Sequence, residues 1–326
     1  NLTIILGQTD FTMVQSDLLQ YLKGQILETP PLPAVDLRGQ NIAITGANSG
    51  LGFEAAKHIY KLNVSHLILA CRSLEKGETA RQKIMASSRL DSPGKVDVWQ
   101  LDMSDYSSVL AFGNRINGLT TLDTFITNAR IDTAEFVKVE GHESTLIVNV
   151  ISTLLIAMLV IPKLRESSKV QKKPSHLVFT GSVVHIYAKH KALCEPKTGQ
   201  IFKTLDDENT ANMADRYNLS KLVLLLGFRK LAEEVNRSEP GQTSVILNFV
   251  HPGWCKTELF KTNDGGVSGR FALRLMGRTS EEGGRTLVHG AVADEKCHGK
   301  YLAECRVKQE SSWARSDEGH QDQERL

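Results

Sequence analysis

Residues 41–52 read NIAITGANSGLG, a short apolar run that passes directly into three closely spaced glycines. The apolar part, Asn41 to Thr45, predicts a buried strand, and the residues that follow have the spacing of a helix. Gly46 permits a sharp turn, Gly50 a close backbone approach to a pyrophosphate, and Gly52 close packing of the helix on the strand. Because a helix N-terminus presents unpaired N–H groups, this stretch predicts a phosphate-binding loop.

The same alternation of short apolar runs and helical patterns continues along most of the chain. Six runs rich in Ile, Val, Leu or Phe predict buried strands: Asn41–Thr45, His66–Cys71, Val96–Leu101, Thr124–Thr127, His176–Thr180 and Ser244–Val250. The helical patterns between them are Gly52–Leu62, Leu74–Ser88, Ser104–Ile116, Ser144–Leu164 and Met213–Glu234. Such alternation indicates α/β architecture. We expect a single-domain Rossmann fold, a doubly wound parallel sheet with helices on both faces.

The chain divides into one domain with two appended ends. Residues 1–37 are predicted to be a helical and Pro-rich extension, in which a helix over Asp17–Leu27 is stopped by the prolines of residues 30–33. Residues 38–305 form the predicted domain, without a linker or an internal repeat. Residues 306–326 form a polar tail.

Two features are expected near the C-terminus. Lys300 to Cys305 predicts an edge strand, and Ser316 before Asp317 and Glu318 predicts the N-cap and acidic first turn of a short helix. Because the terminal run is polar, we expect it to be a solvated face without a further function.

Composition excludes several classes of protein. The 326 residues carry 39 Lys and Arg against 37 Asp and Glu, a formal charge of +2, which argues against a nucleic-acid binder with a broad cationic face. The hydrophobic fraction of 41% is too high for a largely disordered chain. The apolar run Leu146–Ile161 is interrupted by polar residues and followed by Pro162, so no membrane span is expected.

The cysteines and histidines indicate a cytoplasmic protein without a metal site. The five cysteines are scattered and form no Cys-x-x-Cys pair, which favours a reducing compartment over disulfides or structural zinc. His142, His185 and His190 have no ligand spacing with nearby carboxylates. The chain begins at Asn1, which leaves a lost N-terminal signal open.

The end of the second predicted strand bears on the choice of cofactor. A carboxylate there would bind the adenosine ribose hydroxyls of NAD, but this chain has Arg72, which suits the 2′-phosphate of NADP. A surface arginine at a strand end is the alternative. Asp102, after the third predicted strand, is expected at the adenine edge, or else caps a helix.

A tyrosine and a lysine lie one helical turn apart. The i, i+4 spacing puts Tyr217 and Lys221 on one helix face, and an ammonium beside a phenol lowers the phenol's pKa from its usual value near ~10. Ser182 follows another predicted strand, where its hydroxyl can bind a substrate carbonyl. Asn149 is polar within an apolar helix and needs a hydrogen-bond partner.

These motifs together resemble the short-chain dehydrogenase/reductase family over about residues 38–305. Within the family, the chain is similar to the retinol-dehydrogenase-like branch, and its two ends look like those of fungal members, many of which serve secondary metabolism. The matching residues are Thr45, Gly46, Ala47, Asn48, Ser49, Gly50, Leu51, Gly52, Asp102, Asn128, Ala129, Asn149, Ser182, Tyr217, Lys221, Pro252, Gly253 and Thr257.

The resemblance implies hydride transfer between NADP(H) and a carbonyl. Tyr217 would be the general acid–base, Lys221 would lower its pKa and bind the nicotinamide ribose, and Ser182 would orient the carbonyl. Asn149 would anchor a water of the proton relay. The nicotinamide end of the cofactor would be held by Pro252, Gly253 and Thr257.

One position departs from the family pattern. The family usually has Asn-Asn-Ala-Gly after its fourth strand, whereas residues 127–130 read TNAR, which puts Arg130 beside the expected active site. Arg130 either points to solvent or the cofactor phosphates, or it reaches into the pocket and binds substrate. A related pattern is found in fungal members that act as Diels–Alder catalysts, but this chain has Asn128 where those have Asp.

Two segments and three single residues are expected around the substrate. Residues 189–215 form a long polar connection that is a candidate lid, and residues 258–277 form a glycine-hinged flap with an apolar side. His185, Trp254 and Arg130 are candidate substrate contacts. These features predict a hydrophobic small-molecule substrate for a monomer or a homodimer.

The first functional hypothesis is therefore an NADP(H)-dependent oxidoreductase that reduces a carbonyl or imine of a hydrophobic, natural-product-like substrate. The second is an NADP(H)-binding cyclase or Diels–Alderase that uses Arg130 in its pocket. The third is a non-catalytic NADP-sensing or scaffold protein, which the intact Ser182, Tyr217 and Lys221 set disfavours. The identity of the substrate, the direction of the reaction and its stereochemistry stay open.

Overall fold

The apolar run Asn41–Thr45 forms strand β1 in the interior of a mostly parallel sheet. We describe a computed structural model, which covers residues 8–88, 94–238, 241, 243–256 and 276–326, with side chains from residue 17 onward. Ile42 and Ile44 pack on one face of the sheet and Ala43 packs on the other. Because helices cover both faces, the three central residues of β1 are all apolar instead of alternating with polar residues.

The strands of the described residues form one large sheet and one small hairpin. They are β1 Asn41–Thr45, β2 His66–Cys71, β3 Lys95–Gln100, β4 Thr124–Thr127, β5 Lys138–Val139, β6 His142–Glu143, β7 Ser175–Thr180, β8 Val245–His251, β9 Lys300–Ala303 and β10 Arg306–Val307. The large sheet has the order β10-β9-β8-β7-β4-β1-β2-β3, and only the β9–β10 pair is antiparallel. The chain order therefore reverses between β1 and β4, which is where ligands bind in open α/β sheets.

The helices lie on both faces of the large sheet. They are α1 Gln8–Leu27, α2 Gly50–Lys61, α3 Leu74–Ala86, α4 Tyr106–Asn117, α5 Ser144–Leu146, α6 Ser152–Gln171, α7 Lys191–Cys194, α8 Ile201–Leu205, α9 Met213–Ser238, α10 Ser280–Ala291 and α11 Asp317–Arg325. One apolar cluster joins α4, α6 and α9 to the sheet, and a second joins α2 and α10 to the opposite face. The doubly wound α/β fold is thus confirmed.

The fourth predicted helical run, Ser144–Leu164, extends further than the sequence pattern predicted. A π-helical turn, Ile147–Ile151, joins α5 to α6, and α6 continues through Pro162 to Gln171. Pro162 removes the hydrogen bond to the carbonyl of Met158, which lies on the exposed side of the helix where water can bind it. Residues 144–171 are long and apolar enough to cross a membrane, but most of this stretch is buried in the protein, as in a core helix.

The predicted edge strand is shorter than expected. Strand β9 ends at Ala303, and Glu304 and Cys305 then adopt positive φ angles of 50° and 58° in the turn to β10. Because β10 pairs only with β9 in the described sheet, β10 takes the edge position instead. Thr257 and most of the predicted 258–277 flap lie outside the described residues.

The prediction of a merely solvated C-terminal tail is wrong. Ser316 does cap α11, since its side chain accepts a hydrogen bond from the Gly319 N–H. The tail then packs on α9, where the Arg229 guanidinium donates to the Ala314 carbonyl at 2.5 Å and to His320 Nδ1 at 2.6 Å. Asp322 and Gln323 are buried, whereas Asp317, His320 and Glu324 are exposed, so the tail is docked on one side and solvated on the other.

We predict that Arg229→Met lowers the free energy of unfolding by about 2 to 3 kcal/mol, because it leaves buried acceptors on the tail without their donor. Lys230→Met is the matched control: Lys230 lies next on α9 and pairs with Glu324 at 2.7 Å, but this pair is exposed. The control should leave stability unchanged. Urea denaturation measures both variants, and equal stability of the two would contradict a docking role for Arg229.

Candidate active site

A cleft of about 540 Å³ opens beyond the carboxyl ends of β1 to β4. Its lining includes the loop between β1 and α2, the ends of β2 and β3, and the segment after β4. Ten of the predicted site residues meet here: Gly46, Asn48, Ser49, Gly50, Leu51, Arg72, Asp102, Asn128, Ala129 and Arg130. The cleft coincides with the point where the strand order reverses, so the fold and the sequence motifs indicate one site.

The loop between β1 and α2 has the shape that a phosphate cradle needs. Gly46 and Gly50 have φ angles of 65° and 56°, which side chains rarely adopt. A Cβ on Gly52 would lie 2.4 Å from Asn128 Nδ2 and 2.6 Å from the Gly46 carbonyl. The N-cap residue Ser49 makes no side-chain capping bond, so the first N–H groups of α2 are available to an anion. These residues fit a pyrophosphate.

Asn128 joins this loop to the end of β4. Its Nδ2 donates to the carbonyls of Thr45 and Gly46 at 2.9 and 3.1 Å. Thr45 Oγ1 also accepts hydrogen bonds from the backbone N–H groups of Asn128 and Ala129, at 2.8 and 2.9 Å. The segment that carries Arg130 is therefore held at a fixed distance from the cradle.

The adenine end of the cleft carries Arg72 and Asp102. Arg72 is exposed and follows directly after β2. Asp102 Oδ1 accepts hydrogen bonds from the backbone N–H and the hydroxyl of Ser104, at 2.9 and 2.6 Å. Asp102 therefore lines the cleft and also stabilises the turn before α4, whose own N-cap is Asp105.

Arg130 reaches the predicted catalytic tyrosine. Its guanidinium donates to the carbonyl and the Oδ1 of Asn128 at 3.2 and 3.1 Å. Arg130 and the Ser182 hydroxyl both lie near enough to the Tyr217 hydroxyl to lower its pKa. Among the described residues, Arg130 lines the cleft, whereas Tyr217 and Ser182 lie behind it. Arg130 thus connects the cleft to the hydroxyl pair.

Burial and charge act in opposite directions on Tyr217. Burial raises the pKa of the phenol and Asp132 adds to the rise, while the charge and hydrogen bond of Arg130 and the hydrogen bond of Ser182 lower it. Lys221 is buried and donates to the Thr180 carbonyl at 3.0 Å, with its Nζ 5.8 Å from the centre of the Tyr217 ring. Burial and the charge of Arg130 hold the pKa of Lys221 well below its usual value. Among the causes that act on the phenol, the cation that lowers its pKa is Arg130.

Asn149 braces the site through its side chain. Its Oδ1 accepts from the Ile131 N–H at 2.9 Å, and its Nδ2 donates to the Ile131 carbonyl at 2.9 Å and to Ser220 Oγ at 3.0 Å. Ser220 Oγ in turn donates to the Tyr217 carbonyl at 2.7 Å. The amide therefore ties the segment after Arg130 to the helix turn that carries Tyr217.

The remaining candidate residues lie on the other side of Ser182. His185 is buried: its Nδ1 bonds the Ser182 carbonyl at 2.7 Å, its Nε2 accepts from the Ser311 N–H at 3.1 Å, and burial lowers its pKa to about 4. Trp254 follows Pro252 and Gly253 in the loop after β8, and its backbone bonds Gln25 of α1. Neither His185 nor Trp254 lines the cleft among the described residues.

Comparisons with known proteins agree with this geometry. Residues 40–194 match the family model described as short chain dehydrogenase. Short-chain dehydrogenase anuD of Penicillium roqueforti is 40% identical over 308 residues, which cover 92% of this chain and 79% of the relative. The chain belongs to the short-chain dehydrogenase/reductase family. Short chain dehydrogenase/reductase dmxR8 of Cryptosporiopsis sp. is 36% identical over 310 residues, 94% of each chain.

Two solved structures share the fold of this chain. A 3-oxoacyl (acyl-carrier-protein) reductase from Agrobacterium tumefaciens with NADP bound has a TM-score of 0.57 at 18% identity, and covers 82% of this chain and 93% of its own. A protein from Mycobacterium paratuberculosis has a TM-score of 0.61 at 17% identity, with coverages of 91% and 94%. At these identities the likeness supports the Rossmann fold.

Family membership makes this chain an oxidoreductase with a nicotinamide cofactor site, as predicted. The retinol-dehydrogenase-like branch stays a prediction. Two residues that bond to candidate site residues, Ser220 and Gln25, were not predicted from the sequence. Ser220 lies inside the Tyr217–Lys221 motif, where a buried hydroxyl three residues after the tyrosine was the available signal. Gln25 lies far away in the chain and carries no local signal.

We predict that Arg130→Met moves the pKa of Tyr217 upward, because it removes a positive charge and a hydrogen bond from the phenol oxygen. Ultraviolet titration of phenolate, with Tyr217→Phe as the subtraction reference, measures this pKa. Arg115→Met is the control, since Arg115 lies over the Trp99 ring at 3.8 Å. If the Tyr217 pKa were the same in Arg130→Met and the unmodified protein, the assigned contact would be incorrect.

Proposed function

We propose that this enzyme uses NADPH to reduce a carbonyl or imine of a hydrophobic, natural-product-like substrate, with Tyr217 as the general acid. The observation that carries the proposal is the pairing of the Ser182 and Tyr217 hydroxyls at the carboxyl end of β7, with Lys221 one helical turn away. Two adjacent hydroxyls can bind one carbonyl oxygen, and the phenol has a proton to deliver. A purely structural tyrosine would not need this arrangement beside a nucleotide cleft.

The cofactor, when bound, supplies the hydride. The loop at residues 46–52 and the first turn of α2 would hold the pyrophosphate, and Arg72 would bind the 2′-phosphate of NADP. Asp102 would lie at the adenine edge. Further cofactor contacts are proposed for Asn128, Ala129, Tyr217, Lys221, Pro252, Gly253 and Thr257. Arg72 would thus act at the adenine end of the cofactor, and Lys221 at the nicotinamide end.

The chain's own residues would orient the substrate and move one proton. Ser182 would orient the substrate oxygen or nitrogen, and Tyr217 would donate its hydroxyl proton to that atom. The phenolate that remains would be stabilised by the charges of Arg130 and Lys221. Asn149 would keep the helix turn and the segment after β4 in place; its part in anchoring a relay water stays a prediction.

The substrate class is supported by the cleft and by the relatives. Beside Arg130, the cleft is lined by the apolar side chains of Ile131, Val139 and Val148. The relatives compared above come from fungi, and the resemblance is to fungal members that serve secondary metabolism. We propose a cytoplasmic monomer or homodimer that acts in such a pathway.

A second candidate function is a cyclase or Diels–Alderase that keeps the bound cofactor. The observation that favours it is Arg130, which replaces the usual glycine, lines the cleft and lowers the pKa of the Tyr217 hydroxyl. A guanidinium so placed can bind and polarise a substrate carbonyl without any hydride transfer. The reductase would require Tyr217, whereas the cyclase would require Arg130.

Tyr217→Phe distinguishes these candidates. We predict that carbonyl reduction falls by about 10² to 10⁴, because the proton donor is lost, while NADPH affinity is nearly unchanged. Tyr106→Phe on α4 is the control and should reduce at the normal rate. Nicotinamide absorbance measures reduction. A cyclisation activity that survives in Tyr217→Phe but is lost in Arg130→Met would contradict the reductase proposal and support the cyclase.

Arg72→Asp tests the choice of cofactor. We predict that the KM for NADPH rises by about 10- to 100-fold, because a charge-assisted bond to the 2′-phosphate is replaced by repulsion. The KM for NADH should not rise. Arg237→Asp, at the opposite end of α9 from Tyr217, is the matched control and should change neither value. A preference of the unmodified enzyme for NADH would contradict the role given to Arg72.

A further inference from the structure

Gln25 of the N-terminal helix α1 binds two segments that are distant in the sequence. Its Nε2 donates to the Met276 carbonyl at 2.8 Å and to the Trp254 carbonyl at 3.2 Å. Its Oε1 accepts from the Trp254 N–H at 2.9 Å. Gln25 is only 5% exposed, on a helix whose neighbours Lys23 and Ile26 face solvent. One buried amide therefore satisfies both backbone groups of Trp254.

Arg278 completes the attachment of α1 to the same loop. Its Nη2 donates to the carbonyls of Gly24 and Glu28 at 2.7 and 2.9 Å, and pairs with Glu304 at 3.1 Å. The Arg278 backbone N–H also donates to the Trp254 carbonyl at 2.8 Å. The end of α1 and the loop after β8 are thus bonded to one another directly and through Arg278.

Gly253 lies directly against both side chains. Its φ angle is 92°, and a Cβ placed on it would lie 2.5 Å from Arg278 Nη1 and 2.9 Å from Gln25 Oε1. At Gly253 the backbone therefore has a φ angle that residues other than glycine rarely adopt. The same residue packs against the Gln25 side chain. Because this loop has so little space, the position of Gly253 depends on where α1 is held.

We propose that Gln25 is a positioning residue for the nicotinamide end of the cofactor, acting through the Pro252–Trp254 loop. The N-terminal extension is then part of the active site and not an appendage of the domain. This inference rests on the proposed function, in which Pro252 and Gly253 hold the nicotinamide end. The ligand concerned is a nicotinamide dinucleotide, and Gln25 itself does not touch it.

The test compares Gln25→Met with Gln20→Met in the full-length chain. Gln25→Met keeps the length of the side chain and removes all its hydrogen bonds, whereas Gln20 is an exposed glutamine on the same helix. We expect the Kd for NADPH, measured by fluorescence titration, to rise about tenfold in Gln25→Met, because the loop loses its preorganised shape. Gln20→Met should bind NADPH as the unmodified chain does.

Hydrogen exchange supplies a readout that is independent of the cofactor. The Trp254 amide, bonded to Gln25 Oε1, should exchange faster in Gln25→Met without any cofactor present. If Gln25→Met is too unstable, Gln25→Glu keeps the acceptor for Trp254 and should show an intermediate loss of NADPH affinity. Unchanged affinity, or an unchanged Trp254 amide, would overturn the inference.

The same experiment separates this inference from the proposed function. If the unmodified chain fails to bind NADPH, the proposed function is refuted and the cofactor role of Gln25 falls with it. If the unmodified chain binds NADPH and Gln25→Met binds it equally well, the proposed function stands and the role of Gln25 alone is overturned.

Discussion

The site depends on one junction, the pair of hydrogen bonds that Asn128, after β4, donates to the side chain and the carbonyl of Thr45 at the end of β1. The Asn128 amide fills the space left by Gly52, so the phosphate loop and the segment carrying Arg130 cannot move independently. Asn149 then links the residue after Arg130 to the turn that carries Tyr217. A continuous set of bonds therefore connects the cleft with the proposed proton donor. Such buried networks hold reacting groups in place because each polar atom has few alternative partners.

Those parts of the fold that depend on local pattern were predictable. Strand β1 and the glycine loop follow from apolar residues and tight turns. The six predicted core strands, now β1 to β4, β7 and β8, begin and end within one residue of the expected bounds. Tertiary packing determined the rest. Helix α6 continues past Pro162 because its buried face is held by neighbouring helices, and the tail docks because α9 presents Arg229 to it. No sequence window of helical length contains these contacts.

The same division applies to the active site. Tyr217 and Lys221 were recognisable as a candidate pair only from their spacing together with the other motifs of the family, and their catalytic role stays a prediction. Their electrostatic surroundings were not recognisable, since the cation that lowers the pKa of the phenol is Arg130, from a strand end remote in sequence. The departure from the family pattern at Arg130 was visible in the sequence. Which way the Arg130 side chain points could be seen only in the folded structure. Gln25 gave no signal, because the backbone partners on which its proposed role rests lie more than two hundred residues away.

The most direct test of hydride transfer uses NADPH in which both hydrogens at C4 of the nicotinamide ring are replaced by deuterium. The unmodified enzyme is incubated with it and a panel of hydrophobic ketones, aldehydes and imines, and the products are analysed by mass spectrometry and NMR. We predict that deuterium appears on the carbon of the reduced carbonyl or imine, one atom for each NADPH oxidised. Product that forms without deuterium and without oxidation of NADPH would contradict the reductase account.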